Sequence, residues 1–166
     1  MKILKKILLA LLILFIIIQF YPRPEKNVQA TPSLNSISNR YAPGVDVQQV
    51  LNVSCNDCHS NNTVYPWYSK IQPISMFLGN HIRDGKKELN FDEFLSYQPS
   101  RQFHKFEEIK ETINKSEMPI KSYTILHRNA ILTESQKSAI LQWVDASMSQ
   151  MKSQYPPDSL VRKKKA

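Results

Sequence analysis

Cys55-Asn56-Asp57-Cys58-His59 places two thiols three positions apart and an imidazole directly after the second. That spacing suits haem c chemistry: each sulfur adds to one vinyl group of the porphyrin, and His59 is then held beneath the iron as its proximal ligand. These are the only cysteines in the chain, so no other thiol competes for the role. A redox disulfide of the thioredoxin kind needs a strand before the pair and a helix opening at it. The short stretch Val50-Leu51-Asn52-Val53-Ser54 has no βαβ pattern around it. A structural zinc needs four ligands, yet His81, His104 and His127 stand singly, with no second pair. The expectation is one covalently bound haem, attached by Cys55 and Cys58 and ligated by His59.

Iron held by His59 keeps one further axial position, for which Met118, His81, His127, His104, Met76 and Met148 are the candidates. Met118 leads. It precedes Pro119, which stiffens its loop, and lies in a break between a helix ending near Ser116 and one starting at Thr133. A thioether suits low-spin iron and raises its reduction potential. His81 and His127 are the alternatives, followed by an open or water-filled site. In a purely structural role, His81 is a helix-face residue bonding a carbonyl or a haem propionate, and His127 a loop histidine. Met76 and Met148 read as core, and Trp67 and Tyr68 as a pocket wall.

The elements that must position these groups are helical. Glycine is scarce, at three residues, strand-like alternation is nearly absent, and no internal repeat is visible, so an all-α body is expected. Val47, Val50, Leu51 and Cys55 share one face of a helix from about Asp46 through His59. A loop follows over Asn61 to Tyr68. Ile74, Phe77, Leu78, His81 and Ile82 trace a second helix, with Gly85 placed to end it. Asn90 and Glu93 resemble a cap on a short helix carrying Phe91, Phe94 and Leu95, and Phe106, Ile109 and Ile113 form a further stripe. The last helix opens on a capping box, Thr133 with Gln136, and shows an apolar face of Ala139, Ile140, Trp143, Val144 and Met148.

The chain of 166 residues holds one domain between two special ends. Lys2, Lys5 and Lys6 precede an apolar run from Ile7 to Phe20 interrupted only by Gln19, the pattern of an export signal. Bulky and charged residues follow it, and the first small-x-small site is Val28-Gln29-Ala30. An uncleaved signal anchor over 1–21 is therefore favoured over a cleaved signal peptide, with Lys5 and Lys6 snorkelling to the headgroups. Residues 22–43 read as a linker, 44–155 as the haem domain and 156–166 as a basic tail. The net charge of +8 resides in the ends: five Lys/Arg and one Glu within 1–30, and four basic residues within 161–166. Of the 22 basic and 14 acidic side chains, thirteen of each remain for the body, so no nucleic-acid face is implied.

Cys55 to Ser60, Pro66-Trp67-Tyr68-Ser69, His81-Ile82 with Gly85, Leu89-Asn90-Phe91, Met118-Pro119, Tyr123, His127 and Leu132-Thr133 through Trp143 together resemble the bacterial haem-binding domain family. Its members are small, exported, single-haem cytochrome-c-like proteins. The resemblance spans roughly Val47 to Val144 and implies a helical cytochrome-c-like fold around haem. Electron transfer with redox partner proteins on the periplasmic side of the inner membrane is the expected function. The competing class is a haem enzyme or sensor with an open iron, peroxidase-like or gas-binding, in which His81 or His127 would serve as distal base.

Overall fold

The computed structural model describes residues 2–162; of the expected basic tail, only the part up to Arg162 lies within it. Among the described residues every regular element is helical. The haem motif is delivered by two helices meeting at an angle. Helix α2 (Val45–Ser54) buries Val47, Val50, Leu51 and Ser54, and Cys55 then leaves helical geometry at φ −129° before α3 (Asn56–His59). The single helix expected through His59 is thus broken at the first cysteine. What holds the second piece is local: Thr63 Oγ1 donates to the Asp57 carbonyl at 2.6 Å, and the Val64 N–H donates to Asp57 Oδ1 at 2.8 Å.

Helix α4 (Ile74–Glu88) packs across α3. Gly85 does not end it but lies within its last turn, where a Cβ would stand 2.7 Å from the Cys58 carbonyl oxygen. The glycine is there for close approach of helix to motif. Asn90 caps a 3-10 segment, Phe91–Ser96: its side chain accepts from the Asp92 N–H at 3.0 Å, and its carbonyl accepts from the Glu93 N–H at 3.2 Å. Helix α5 (Pro99–Asn114) closes in a Schellman motif: Ser116 sits at φ 55°, its N–H reaches the Ile113 carbonyl, and the Glu117 N–H reaches that of Thr112. That turn sends the chain into the Met118 loop and the single turn α6 (Lys121–Thr124). Helix α7 (Glu134–Gln154) has the expected capping box of Thr133 and Gln136, and α8 (Pro157–Leu160) returns onto α5.

The core lies between α2, α5 and α7. Phe106 is its centre, with ring centroids 5.3 Å from Tyr41, 4.9 Å from Phe94 and 6.0 Å from Trp143. Trp143 is buried as expected, and its indole N–H donates to the Tyr41 carbonyl at 2.9 Å.

Helix α1 (Lys2–Ile18) has no buried residue. Its 17 residues span about 26 Å at 1.5 Å per residue, against the roughly 30 Å of a bilayer's apolar layer. Among the described residues no helix is long and apolar enough to cross a membrane. The segment 22–43 also differs from the tether expected of its composition, because it lies along the domain. Asn27 Nδ2 donates to the Ser60 carbonyl and to Thr63 Oγ1, its N–H reaches Tyr65 Oη at 2.7 Å, and Lys86 donates to its Oδ1. Further on, Ile37 and Tyr41, each 2 % exposed, enter the core itself. Polar composition hid this, since the docking of Asn27 and Gln29 uses hydrogen bonds and not apolar periodicity.

Candidate haem site

His59 is held by its own helix and by the chain that follows α4. Its Nδ1 lies 2.9 Å from the Leu89 carbonyl, so Nδ1 carries the proton and donates it. The lone pair is therefore on Nε2, which is the arrangement of a histidine oriented for a metal. Burial lowers the pKa of His59, outweighing the backbone hydrogen bonds that favour its charge, so the ring stays neutral.

Two adjoining cavities meet at this histidine. One of about 370 Å³ is lined by Cys55, Cys58, His59, His81, Met118 and Tyr123, among others. The second, of about 410 Å³, shares Ser54, Cys55, His59, Glu88 and Met118 with it and continues over Leu51, Phe91, Ile109 and Ile140. The walls are mostly apolar; among their charged groups Lys105, only 6 % exposed, pairs with Glu108 and lies 3.7 Å from Glu88, and Glu111 and Glu117 also line the second cavity. Both thiols face the first cavity. Burial pushes Cys55 up to about 12, with the neighbouring Cys58 adding to it, and burial with Asp57 pushes Cys58 up to about 11.

Asp57 and Tyr123 tie the motif to the Met118 loop. Tyr123 Oη donates to Asp57 Oδ2 at 2.7 Å, with the Val53 carbonyl a more distant second acceptor at 3.2 Å. Burial and this bond raise the pKa of the phenol.

The six distal candidates separate clearly. Met118 lines both cavities that His59 lines. His81 lines the first only; its Nδ1 bonds the Phe77 carbonyl at 2.9 Å, which leaves Nε2 free. His127 lies apart from His59, with both nitrogens engaged: Nδ1–H donates to the Tyr123 carbonyl at 3.1 Å, and Nε2 accepts from Tyr68 Oη at 3.1 Å. His104 pairs with Glu107 and Glu108 instead. Met148 packs against the core, and Met76 is half-buried on α4 beside neither cavity. Tyr68 and Trp67 pack edge to face, and Tyr68 walls a small third cavity with Cys58 and His81.

The donor set fits haem: a neutral imidazole nitrogen and two thiols open onto one apolar cleft, with a thioether and a second imidazole on its walls. A family profile described as the haem-binding domain matches residues 13–146. The chain belongs to this family. It is a haem-binding protein, all-helical in its described residues, with haem as its cofactor. No curated protein and no solved structure matches it. The motif singled out Cys55, Cys58 and His59, which the structure brings to the wall of one cavity. Asp57, Lys105 and the Leu89 carbonyl were not visible, because their roles depend on which helices cross.

Proposed function

We propose that this protein is an exported, single-haem, c-type electron carrier. Cys55 and Cys58 hold the haem as thioethers: each S–H adds across a vinyl double bond, sulfur to the inner carbon and hydrogen to the terminal one, with nothing lost. His59 Nε2 and the Met118 sulfur would be the protein's two ligands to the iron. The observation that carries the reading is the His59 Nδ1 bond to the Leu89 carbonyl, which turns a neutral Nε2 lone pair toward the cleft that both thiols and Met118 line. Bound haem supplies a one-electron ferrous/ferric couple. The chain's own part would be to hold the iron's ligands in place and to exclude water with Leu51, Phe91, Ile109 and Ile140.

Export is supported by the three lysines in the first turns of α1, ahead of its exposed apolar run from Ile7. We place the domain on the periplasmic side of the inner membrane, held by residues 3–21, with redox proteins as its partners. Because α1 is shorter than the apolar layer, Gln19, Phe20 and Tyr21 must be drawn to the lipid surface for this to hold.

His81, whose Nε2 is free in the same cavity, favours one competing reading, an open iron with a distal base. Two measurements decide. Haem that stays with the denatured polypeptide through acidified solvent supports the thioethers; haem lost to the solvent overturns them. Reduced protein that ignores carbon monoxide has both axial positions filled, and rapid gas binding would instead establish the open iron.

A further inference from the structure

We infer that the haem domain does not hang from the membrane but rests on it, through the face carrying Trp67, Ile74 and Phe77. The inference relies on the proposal that α1 lies in lipid. It comes from the way α1 is joined to the domain. One residue past the helix, Gln19 bonds the backbone of Gln72 in both directions: Nε2 donates to the Gln72 carbonyl, and the Gln72 N–H donates to Oε1, each at 3.0 Å. Gln72 is fully buried, and its own side chain reaches the carbonyls of Tyr21 and Pro22 at 3.4 Å. Pro24 then sits on Gly79, where an added Cβ would meet its ring at 2.5 Å. The join has no slack.

Whatever depth the end of α1 takes, residues beside Gln72 share it to within a headgroup layer, which is roughly 5–8 Å thick on each side of the apolar core. Those residues suit that layer. Trp67 is 76 % exposed and Phe77 54 %, Ile74 is also exposed, and Phe20 and Tyr21 stand exposed at the helix end. Aromatic side chains with a polar edge favour the membrane interface. Arg23 and Lys70, both exposed on the flanking segments, add positive charge for an anionic headgroup. The occupant of this face is therefore a lipid surface containing anionic lipid. Ile74 and Phe77 also wall the small cavity shared with Cys58 and His81, so the haem cleft lies close to the bilayer.

The test uses full-length, haem-loaded protein in vesicles of phosphatidylcholine with phosphatidylglycerol, doped with a lipid carrying a photoactivatable group near the headgroup. Mass spectrometry maps the labelled peptides. Labels on α1 and on residues 67–77 are expected. Gly79→Leu, whose side chain overlaps Pro24, should lower labelling of 67–77 several-fold while α1 stays labelled and the haem spectrum is unchanged. Labels on α1 alone in the wild type would overturn the resting geometry and leave the membrane proposal standing. Equal labelling of 67–77 in the Gly79→Leu protein would refute the latch as its cause. Protein that fails to float with the vesicles, or that begins at Thr31, would overturn both.

Discussion

At the scale of single residues, the site depends on which lone pairs are free. His127 has spent both nitrogens on Tyr68 and Tyr123, whereas the Met118 side chain lines both cavities that His59 lines. Met118→Ala should therefore abolish the weak far-red absorption of thioether-bound ferric iron, lower the reduction potential and admit carbon monoxide. Wild-type spectra lacking that band, with two imidazoles by electron paramagnetic resonance, would make His81 the ligand instead. Tyr123 carries a different prediction. Its phenol is held above its ordinary value of 10.0 by burial and by the bond to Asp57. Above about pH 10 the unfolded chain releases this proton while the folded chain keeps it, so stability falls as pH rises. Tyr123→Phe should cost about 1–2 kcal/mol near neutrality, at the low end for a bond to a charged group because the ring is half exposed. It should also flatten the alkaline slope, leaving the part due to Tyr41 and Tyr68, whose phenols burial likewise raises. Denaturant melts at pH 8 and pH 10.5 would check both effects.

At the scale of elements, the crossing of α3 and α4 is the tightest contact at the site. Alanine favours a helix over glycine by about 1 kcal/mol, yet the Gly85→Ala methyl would press on the Cys58 carbonyl. Overpacking of that kind costs about 1–3 kcal/mol, so the variant should lose stability and retain less haem. Thermal melting with a haem-to-protein absorbance ratio measures both. Here the sequence was informative in proportion to periodicity. The stripes of Val47, Val50 and Leu51 and of Phe106, Ile109 and Ile113, and the box of Thr133 and Gln136, are written within one element each. The bend at Cys55 was not readable because the hydrogen bonds of Thr63 and Val64 to Asp57 leave no mark in the apolar periodicity, and the function of Gly85 because it is set by Cys58, distant in sequence. A glycine that ends a helix and one that admits a second helix look the same in a string of letters.

At the scale of the whole molecule, the segment before the haem motif is part of the fold. Tyr41 touches Phe94 and Phe106 and receives the indole N–H of Trp143. A chain cut to residues 44–155 loses Ile37 and Tyr41, each contributing about 1.5–3 kcal/mol of buried apolar surface. Against a net stability of about 5–15 kcal/mol, that loss should lower the melting temperature sharply or abolish the cooperative transition by circular dichroism. A chain beginning at Thr31 keeps both residues and should still fold.

The docked strip around Ala30 also sets an order of events. Proteases take their substrates as extended, accessible backbone, and folded segments resist them. Gln29 is held at its N–H by Asn62 and at its side chain by Asn61, and Val28 bonds back to Lys26. Under the proposed export, scission after Ala30 should therefore be faster while the emerging chain is still unfolded. Signal peptidase added to the native protein should leave it intact, while the same enzyme should cut a denatured or newly translocated chain; equal cutting of both would show that the strip is no shield. Ala30 and Thr31 are themselves exposed, so any shielding comes from the bonds that hold Gln29 beside them; if the native protein resists the enzyme, the proposed export would leave the choice between an attached and a released protein to the time before folding.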